Sequence, residues 1–261
     1  MFKVKLVVFC LLVFCIVHAA SAQAKPDDHA AAIVAKAVQF VGGDRYLQVK
    51  SQVGRGKFST IRDGGVASFQ SFTDLIVFPD KERTEFKSGA SKTIQTNSGS
   101  TGWFFDLESG AIKDQSAVQV ANFARGLRTS LDNLLRGYWK GQGELSYVAR
   151  RPGTLGKRND VIRLTYSDGF AIEFEFADDG TPVKAIYKET TAGGVESTEE
   201  DRYAQFLDID GIKTPFIVDR YTNGAQSSRI NYDTVEFNRS IPDSVFAKPT
   251  NPKDLKKDLK L

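Results

Sequence analysis

The chain contains few of the side chains that enzymes use for nucleophilic, redox or zinc chemistry. Among 261 residues there are two cysteines, two histidines and one methionine. Cys10, Cys15 and His18 lie in an apolar N-terminal segment, and His29 follows soon after it. Ser-His-Asp and Cys-His nucleophiles need an imidazole base, and zinc sites favour His and Cys ligands. We therefore expect no catalytic residue, no metal and no cofactor.

The first residues predict a cleaved secretory signal peptide. Two lysines precede an apolar run over 6–17, and small residues at 20–24 offer a cleavage site. The run is shorter than the roughly 20 residues that cross a bilayer as a helix. We expect residues 1–24 to be removed on export to the periplasm of a Gram-negative type of envelope.

Removal of residues 1–24 would leave a chain without thiols and with little net charge. Proteins without disulfides are common in the bacterial periplasm. Loss of Lys3 and Lys5 takes the formal net charge from +3 to +1, which argues against nucleic-acid binding. We expect a monomer with one domain over 25–249, a charged tail over 250–261 and no later membrane span.

The longest helical pattern covers residues 114–140. Asp114 is the expected N-cap, and apolar side chains recur at three- and four-residue steps, which predicts one amphipathic helix. The apolar stripe consists of Ala117, Val120, Ala121, Ala124, Leu127, Leu131, Leu134, Leu135 and Tyr138. We expect the helix to bury this stripe against a sheet. A shorter helix is predicted over 29–41 and ends at Gly42-Gly43.

Most of the remaining sequence predicts strands. Asp168-Gly169 and Asn223-Gly224 are typical two-residue hairpin turns. Counting gives about ten or eleven strands joined by short turns, which favours one strongly curved antiparallel sheet. The fold class is therefore mainly β with helices (α+β). The clearest inward-facing row of apolar side chains is Phe170, Ile172, Phe174 and Phe176.

Paired carboxylates are the remaining route to catalysis. Glu173 with Glu175, and the run Glu199-Glu200-Asp201, are candidates for a glycosidase, which needs two carboxylates about 5 to 9.5 Å apart. Glu173 and Glu175 alternate with phenylalanines, however, and this pattern is typical of a solvated strand face. A carboxylate-only hydrolase is the weakest of the functional alternatives.

Several short motifs follow one another at characteristic spacings. They are Gly42-Gly43 after the first helix, FPDKER over 78–83, Gln95, Gly102-Trp103, DGIKTPF over 210–216 and NRSIPDSVF over 238–246. Together they resemble the LolA/LolB-like proteins, a family that sorts outer-membrane lipoproteins. The resemblance spans most of the chain after the signal peptide. It implies an unclosed antiparallel half-barrel wrapped around helices that act as a lid or plug over an apolar cavity.

The resemblance also implies that the cavity receives the acyl chains of lipoproteins or lipids. The residues that we expect to line it are Trp103, Phe105, Leu127, Leu131, Phe170, Ile172, Phe174 and Phe176. The alternative is that these side chains fill a closed core. Lys81 and Arg83 are expected either at the cavity mouth, in contact with a lipid head group or a partner protein, or on a solvated turn.

A function in protein binding stays open beside the carrier. The same fold occurs in envelope-stress sensors that resemble the RseB/MucB group. Such a protein would bind a membrane-bound envelope protein with the rim of its sheet, and it would need an exposed apolar patch of several hundred Å². A carrier would instead need an open cavity and a movable lid.

Overall fold

The computed structural model describes residues 27–190, 193–256 and 259. The predicted signal peptide lies outside these residues, and so does part of the predicted tail. The helices are α1 (Asp28–Val41), α2 (Asp44–Leu47), α3 (Ala117–Thr129) and α4 (Leu131–Arg136), with single 3-10 turns at Thr154–Gly156, Asp243–Val245 and Pro252–Leu255. No helix in the described ranges combines the length and the hydropathy of a membrane span.

The strands form one antiparallel sheet. They are β1 (Ser51–Arg62), β2 (Gly65–Val77), β3 (Lys81–Ser88), β4 (Ser91–Ser98), β5 (Thr101–Asp106), β6 (Ala111–Asp114), β7 (Gly143–Pro152), β8 (Arg158–Tyr166), β9 (Ala171–Phe176), β10 (Pro182–Thr190), β11 (Glu196–Ile209), β12 (Ile212–Thr222) and β13 (Ala225–Phe237). Their order in the described sheet is β6-β5-β4-β3-β2-β1-β13-β12-β11-β10-β9-β8-β7. Two meanders are thus joined by the pairing of β1 with β13, and the edge strands β6 and β7 do not pair with each other.

The short turns follow from local sequence. Asn223 and Gly224 both have positive φ, 51° and 80°, as the tight turn between β12 and β13 requires. The predicted strands are confirmed in position, but the described residues form 13 strands rather than ten or eleven. Part of the difference is β6, which the sequence pattern missed because its four residues carry too little alternation to be recognised.

Helix α1 forms where the sequence predicted it. The carboxylate of Asp27 caps it by accepting hydrogen bonds from the backbone N–H groups of His29 (3.0 Å) and Ala30 (3.4 Å). The other carboxylate oxygen accepts from the N–H of Tyr147 on β7 at 2.8 Å, so one side chain caps the helix and pins it to the sheet. Gly42 ends α1 at φ 126°, where an added Cβ would lie 2.5 Å from the carbonyl oxygen of Gly211.

The single helix predicted over 114–140 is wrong. Asp114 ends β6, and Ser116 caps α3 in a capping box with Gln119. The helix then breaks at Ser130, whose backbone is extended and whose hydroxyl accepts from the N–H of Asn133 to start α4. The apolar spacing predicted one continuous helix because its three- and four-residue steps continue across this break.

One half of the inner face, which is the face on which the helices lie, is filled by side chains. We call this the filled region: strands β7–β10 covered by α1 and α4. Its fully buried side chains are Ala30, Ala37, Leu134, Ile162, Leu164, Ile172, Phe174 and Ala185. The described residues contain no cysteine, and burial of large apolar side chains at this density supplies much of the stabilisation of their fold.

The outer face carries two different coverings. Over β7–β11 it holds ion pairs, among them Arg151 with Glu173 (2.7 Å) and Lys184 with Glu200 (3.3 Å). Glu175 lies within this network and is only 3% exposed, so the expected solvated position of Glu175 is wrong. Both glutamates of the proposed hydrolase pair therefore face away from the helices.

Over β2–β5 the outer face is covered by the C-terminal segment, which comprises the described residues from 239 onward. Leu255, only 5% exposed, packs with Trp103 and Phe105. Val245 and Phe246 pack on Leu75. Part of the predicted tail is thus integrated into the structure as a strap across the sheet.

Candidate functional site

A large cavity lies beside the filled region, on the other half of the inner face. It is bounded by α3 on one side and by β1–β3 and β11–β13 on the other, and its volume is about 630 Å³. Small-molecule sites commonly have volumes of roughly 300–1,000 Å³. We call it the α3 cavity and treat it as the candidate functional site.

Helix α3 forms the roof of the α3 cavity with one face only. Gln119, Asn122, Phe123, Gly126 and Leu127 line the cavity, and their spacing of three and one places them on a single helical stripe. The opposite side of the helix faces solvent, where Val118 is 67% exposed. Only Thr129 of α3 is buried, so the expectation that this helix buries a wide apolar stripe is wrong.

Polar contacts hold α3 at both ends. Before its first residue, the side-chain amide of Gln115 exchanges hydrogen bonds with Asn97 on β4 at 2.8 and 3.1 Å. At the other end, Arg128 donates two hydrogen bonds of 2.8 Å to the carboxylate of Asp168, and Arg125 forms an ion pair with Glu189. The roof is therefore fastened by hydrogen bonds and charges rather than by a buried apolar face.

A glycine makes room for the first of these contacts. A Cβ at Gly102 would lie 2.6 Å from the side chain of Gln115 and 2.7 Å from that of Asn97. Any larger residue would displace the Gln115–Asn97 pair. This gives a physical reason for the Gly102-Trp103 motif that the sequence presented.

The walls of the α3 cavity combine apolar and polar groups. Its apolar lining includes Ile76, Phe123, Leu127, Leu131, Phe206, Val218, Ile230 and Phe237. Its floor carries Asp74 and Glu82, from β2 and β3, together with Asp201, Arg220 and Tyr232 from the strands opposite. The cavity is thus not the purely apolar space that the family resemblance implies.

The acidic groups on the floor share few partners. The hydroxyl of Thr84 donates to Asp74 at 2.7 Å and lies 3.4 Å from Glu82, while Arg220 pairs with Asp201 at 3.5 Å. Burial raises the pKa of Asp74 well above its usual range, and the charge of Glu82 acts in the same direction. Burial also raises the pKa of Glu82 and of Asp201, although Arg220 opposes both shifts.

A second glycine shapes the floor. A Cβ at Gly54 would lie 2.5 Å from the ring of Tyr232, so the absence of a side chain lets this ring lie across β1. Tyr232 packs edge-on against Phe72, with ring centroids 5.3 Å apart. Burial raises the pKa of Tyr232, which keeps its hydroxyl neutral.

The structure separates the predicted cavity residues into three places. Leu127 and Leu131 line the α3 cavity. Ile172, Phe174 and Phe176 lie in the filled region, where they meet α1 and α4 rather than open space, and Phe170 packs at its border. Trp103 and Phe105 lie on the outer face beneath the strap, because the two-residue period of β5 turns them away from the helices.

Lys81 and Arg83 are also separated. Lys81 lines the α3 cavity and forms an ion pair with Asp243 at 2.8 Å. Arg83 is buried on the outer face, where it donates to Glu85 at 2.6 Å and to the carbonyl of Val245 at 2.8 Å. Arg83 thus lies neither at a cavity mouth nor on a solvated turn, and both expected positions are wrong. It fastens the strap instead.

The sequence contains one pattern that indicates an acidic residue on the floor of the α3 cavity. Asp74 stands between Phe72 and Ile76 at the two-residue spacing of a strand, so its carboxylate had to share their apolar face. Phe123 gave no comparable signal, since its position on the roof depends on where α3 crosses the sheet. Glu82 lay in a charged segment and could not be distinguished from solvated residues.

No protein-family model and no curated protein matches the sequence. Among solved structures, a DUF1329 family protein from Desulfovibrio piger ATCC 29098 aligns with a TM-score of 0.59 at 13% identity, over 84% of this chain and 97% of that chain. A LolA superfamily protein from Nitrosomonas europaea aligns with a TM-score of 0.57 at 16% identity, over the same shares. These likenesses concern the fold alone. The chain has a LolA-like fold, a curved unclosed antiparallel sheet with a helical lid, and the predicted fold class is confirmed.

Proposed function

We propose that this protein is a periplasmic carrier that holds an acyl chain, from a lipoprotein or a lipid, in the α3 cavity. The observation that carries the proposal is the cavity of about 630 Å³ beneath a helix in which Thr129 is the one buried residue. The LolA-like fold supports the same conclusion, because the resemblance of the sequence motifs implies a lid over an apolar cavity.

The energetics of such binding are favourable. Each CH₂ group that leaves water for an apolar wall gains about 0.8 kcal/mol. Phe123, Leu127 and Leu131 on the helices face Ile76, Val218 and Ile230 on the sheet across the cavity. An extended chain between these two walls would lose contact with water on both sides.

The roof suits entry and release of such a ligand. Its fastenings, the Arg128–Asp168 pair and the Gln115–Asn97 pair, lie at the two ends of α3 and can break without exposing a core. Since Thr129 is the one buried residue of this helix, removing α3 from the cavity would expose no fully buried apolar side chain of its own. The free energy needed to open the lid is therefore small compared with that of unfolding the filled region.

Native mass spectrometry of the mature protein with a fatty-acylated peptide tests the proposal. We expect saturable one-to-one binding, which Phe123→Asp should weaken because it places a charge on the apolar roof. Val118→Asp is the matched control, since Val118 lies on the same helix but is exposed to solvent. Both variants should keep the thermal stability of the parent protein.

The result that would sink the carrier hypothesis is equally concrete. If the parent protein takes up neither acylated peptide nor lipid, or if both aspartate variants reduce binding to the same extent, the α3 cavity is not the binding site for acyl chains.

A further inference from the structure

Asp74 and Glu82 form an acidic pair within the α3 cavity that has too few donors. Asp74 is only 7% exposed, and its Oδ1 accepts the 2.7 Å hydrogen bond of Thr84. A hydroxyl has a single proton to donate, so Thr84 cannot also satisfy Glu82, which lies 3.4 Å away. Within the described residues, no donor reaches Oδ2 of Asp74 and no lysine or arginine lies within 4.0 Å of either carboxylate.

The cations that line the same cavity make their direct contacts with other residues. Lys81 pairs with Asp243 at 2.8 Å, and Arg220 pairs with Asp201 at 3.5 Å. Lys213 lies over the ring of Phe40, 4.7 Å from its centroid.

One further acid of the cavity is already neutralised. Asp132 accepts hydrogen bonds from Arg136 and from the hydroxyl of Tyr46, at 2.8 and 2.7 Å. Asp74 and Glu82 are thus the acids of the cavity lining that lack a cation of their own.

Burial makes this pair costly unless something compensates it. Asp74 is buried and Glu82 is half-buried, and the hydroxyl of Thr84 is the one hydrogen-bond donor that they share. Removal of two charged groups from water costs free energy that one shared hydroxyl does not restore. The described residues contain no group of three or more His, Cys, Asp or Glu side chains arranged to hold a metal ion. Arg220 lies on the same floor and its charge lowers the pKa of both acids, but no ion pair within 4.0 Å joins it to either carboxylate. Among the described residues the pair therefore has no direct cationic donor.

We infer that the ligand of the α3 cavity carries a primary ammonium group, which binds between Asp74 and Glu82 while its aliphatic chain lies against the apolar wall. An ammonium group has three N–H donors, enough for both carboxylates. Charge-assisted hydrogen bonds of this kind are the strong ones in proteins. The inference rests on the proposed function and specifies the chemical class of the ligand: a cationic amphiphile rather than a neutral or anionic one.

The apolar lining places the two ends of such a ligand. Ile76 lies two residues beyond Asp74 on the same face of β2 and lines the cavity beside it. Phe123 and Leu127 lie opposite, on the roof. A ligand whose head reaches the acidic pair therefore has its chain between β2 and α3.

Isothermal titration with three probes of equal chain length tests the inference: decylamine, decanol and decanoate, each below its aggregation concentration. We expect decylamine to bind about tenfold or more tightly than decanol, since a hydrogen bond to a charged group contributes roughly 1.5–3 kcal/mol. The double variant Asp74→Asn, Glu82→Gln should lose this preference and still bind decanol. Asp233→Asn, which removes an exposed carboxylate outside the cavity, should keep it.

The outcomes separate the two claims. Equal affinities for decylamine and decanol, or tighter binding of decanoate, would overturn the ammonium site and leave the carrier proposal standing. Failure of all three probes to bind would overturn both. A preference for decylamine that survives in the double variant would also contradict the inference, because the preference would then arise at other groups.

Discussion

The two halves of the inner face belong to the same sheet but differ in how their helices pack against it. In the filled region, α1 and α4 bury aliphatic side chains such as Ile33 and Leu134 in one cluster with Phe174. In the α3 cavity, the helix presents Gln119, Asn122 and Gly126 beside its few apolar residues. The difference teaches that close packing and open space occupy separate regions of one face.

The strand composition reinforces this contrast. Along β8 and β9, every inward position described as buried carries an aliphatic or aromatic side chain. Along β2 and β3, inward positions include Asp74, Glu82 and Thr84. A closed core tolerates almost no uncompensated carboxylate, so these acids mark the half that remains open.

Phe174→Ala should have the largest effect on stability. Phe174 is 0% exposed in the filled region, and removal of a buried phenylalanine ring costs about 3–5 kcal/mol. Phe123→Ala removes the same atoms from the roof of the α3 cavity and should change the free energy of unfolding by less than about 1 kcal/mol. Urea denaturation of both variants measures the difference.

The comparison between the halves would fail if the two alanine variants lost similar stability. That outcome would mean that α3 contributes to the core as much as α1 and α4 do. Acyl-chain binding provides the complementary readout, since Phe123→Ala should weaken it and Phe174→Ala should weaken it only as far as the protein unfolds.

Asp74→Asn should stabilise the protein at neutral pH. Because burial raises the pKa of Asp74 above its ordinary 3.8, the folded state holds this proton more tightly than the unfolded state. The contribution of Asp74 to the free energy of unfolding is therefore fully present below about pH 4 and falls as the pH rises through the raised pKa. Asparagine removes this fall, and each ~1 kcal/mol that it restores should raise Tm by about 2–4 °C.

Thermal denaturation of parent and variant from about pH 4 to about pH 8 tests this sign. The two Tm curves should meet at the acidic end and separate towards neutral pH. Asp233→Asn, on the exposed surface, should follow the parent throughout. A variant that melts below the parent at neutral pH would show that Asp74 stabilises the fold as a carboxylate.

Asp168→Asn should have the smallest effect on global stability and a local effect on α3. Hydrogen bonds from Arg128 hold the pKa of Asp168 at about 2, below its ordinary 3.8. The pair is therefore intact above about pH 4 and is lost as the pH falls through about 2. We expect an unchanged Tm and a severalfold faster hydrogen exchange of amides in the last turn of α3.

Hydrogen exchange followed by mass spectrometry resolves this prediction by segment. Peptides from α1 should exchange as in the parent protein, since Asp27 and its partners are untouched. Faster exchange in α1 as well would indicate that α3 and the filled region open together, which would contradict their independent opening.

The hairpins and the first helix could be predicted because their causes are local. Asn223-Gly224 adopts the positive φ values of a tight turn, and Asp27 caps α1 through its own neighbours. The two-residue alternation of β9 likewise placed Phe174 inside. These features depend on residues within a few positions of one another.

The break between α3 and α4 could not be predicted from periodicity. Leu127 and Leu131 stay in step across Ser130, although the first lies on the roof of the cavity and the second at its border with the filled region. The position of Trp103 and Phe105 outside the cavity could not be predicted either, because no local pattern shows which face of β5 the helices will cover.

By itself the sequence determined most of the strands, their turns, the cap of α1 and the alternation of faces, because each of these depends on backbone preferences and on contacts close in the chain. Only the tertiary structure decided which inward rows are filled and which border a cavity. That outcome depends on where α1, α3 and α4 lie across the sheet, and on the strap that covers Trp103 and Phe105 from the outside. Both are set by contacts between segments that are distant in the chain, such as the hydrogen bonds from Arg128 to Asp168 and from Trp103 to the carbonyl of Phe246.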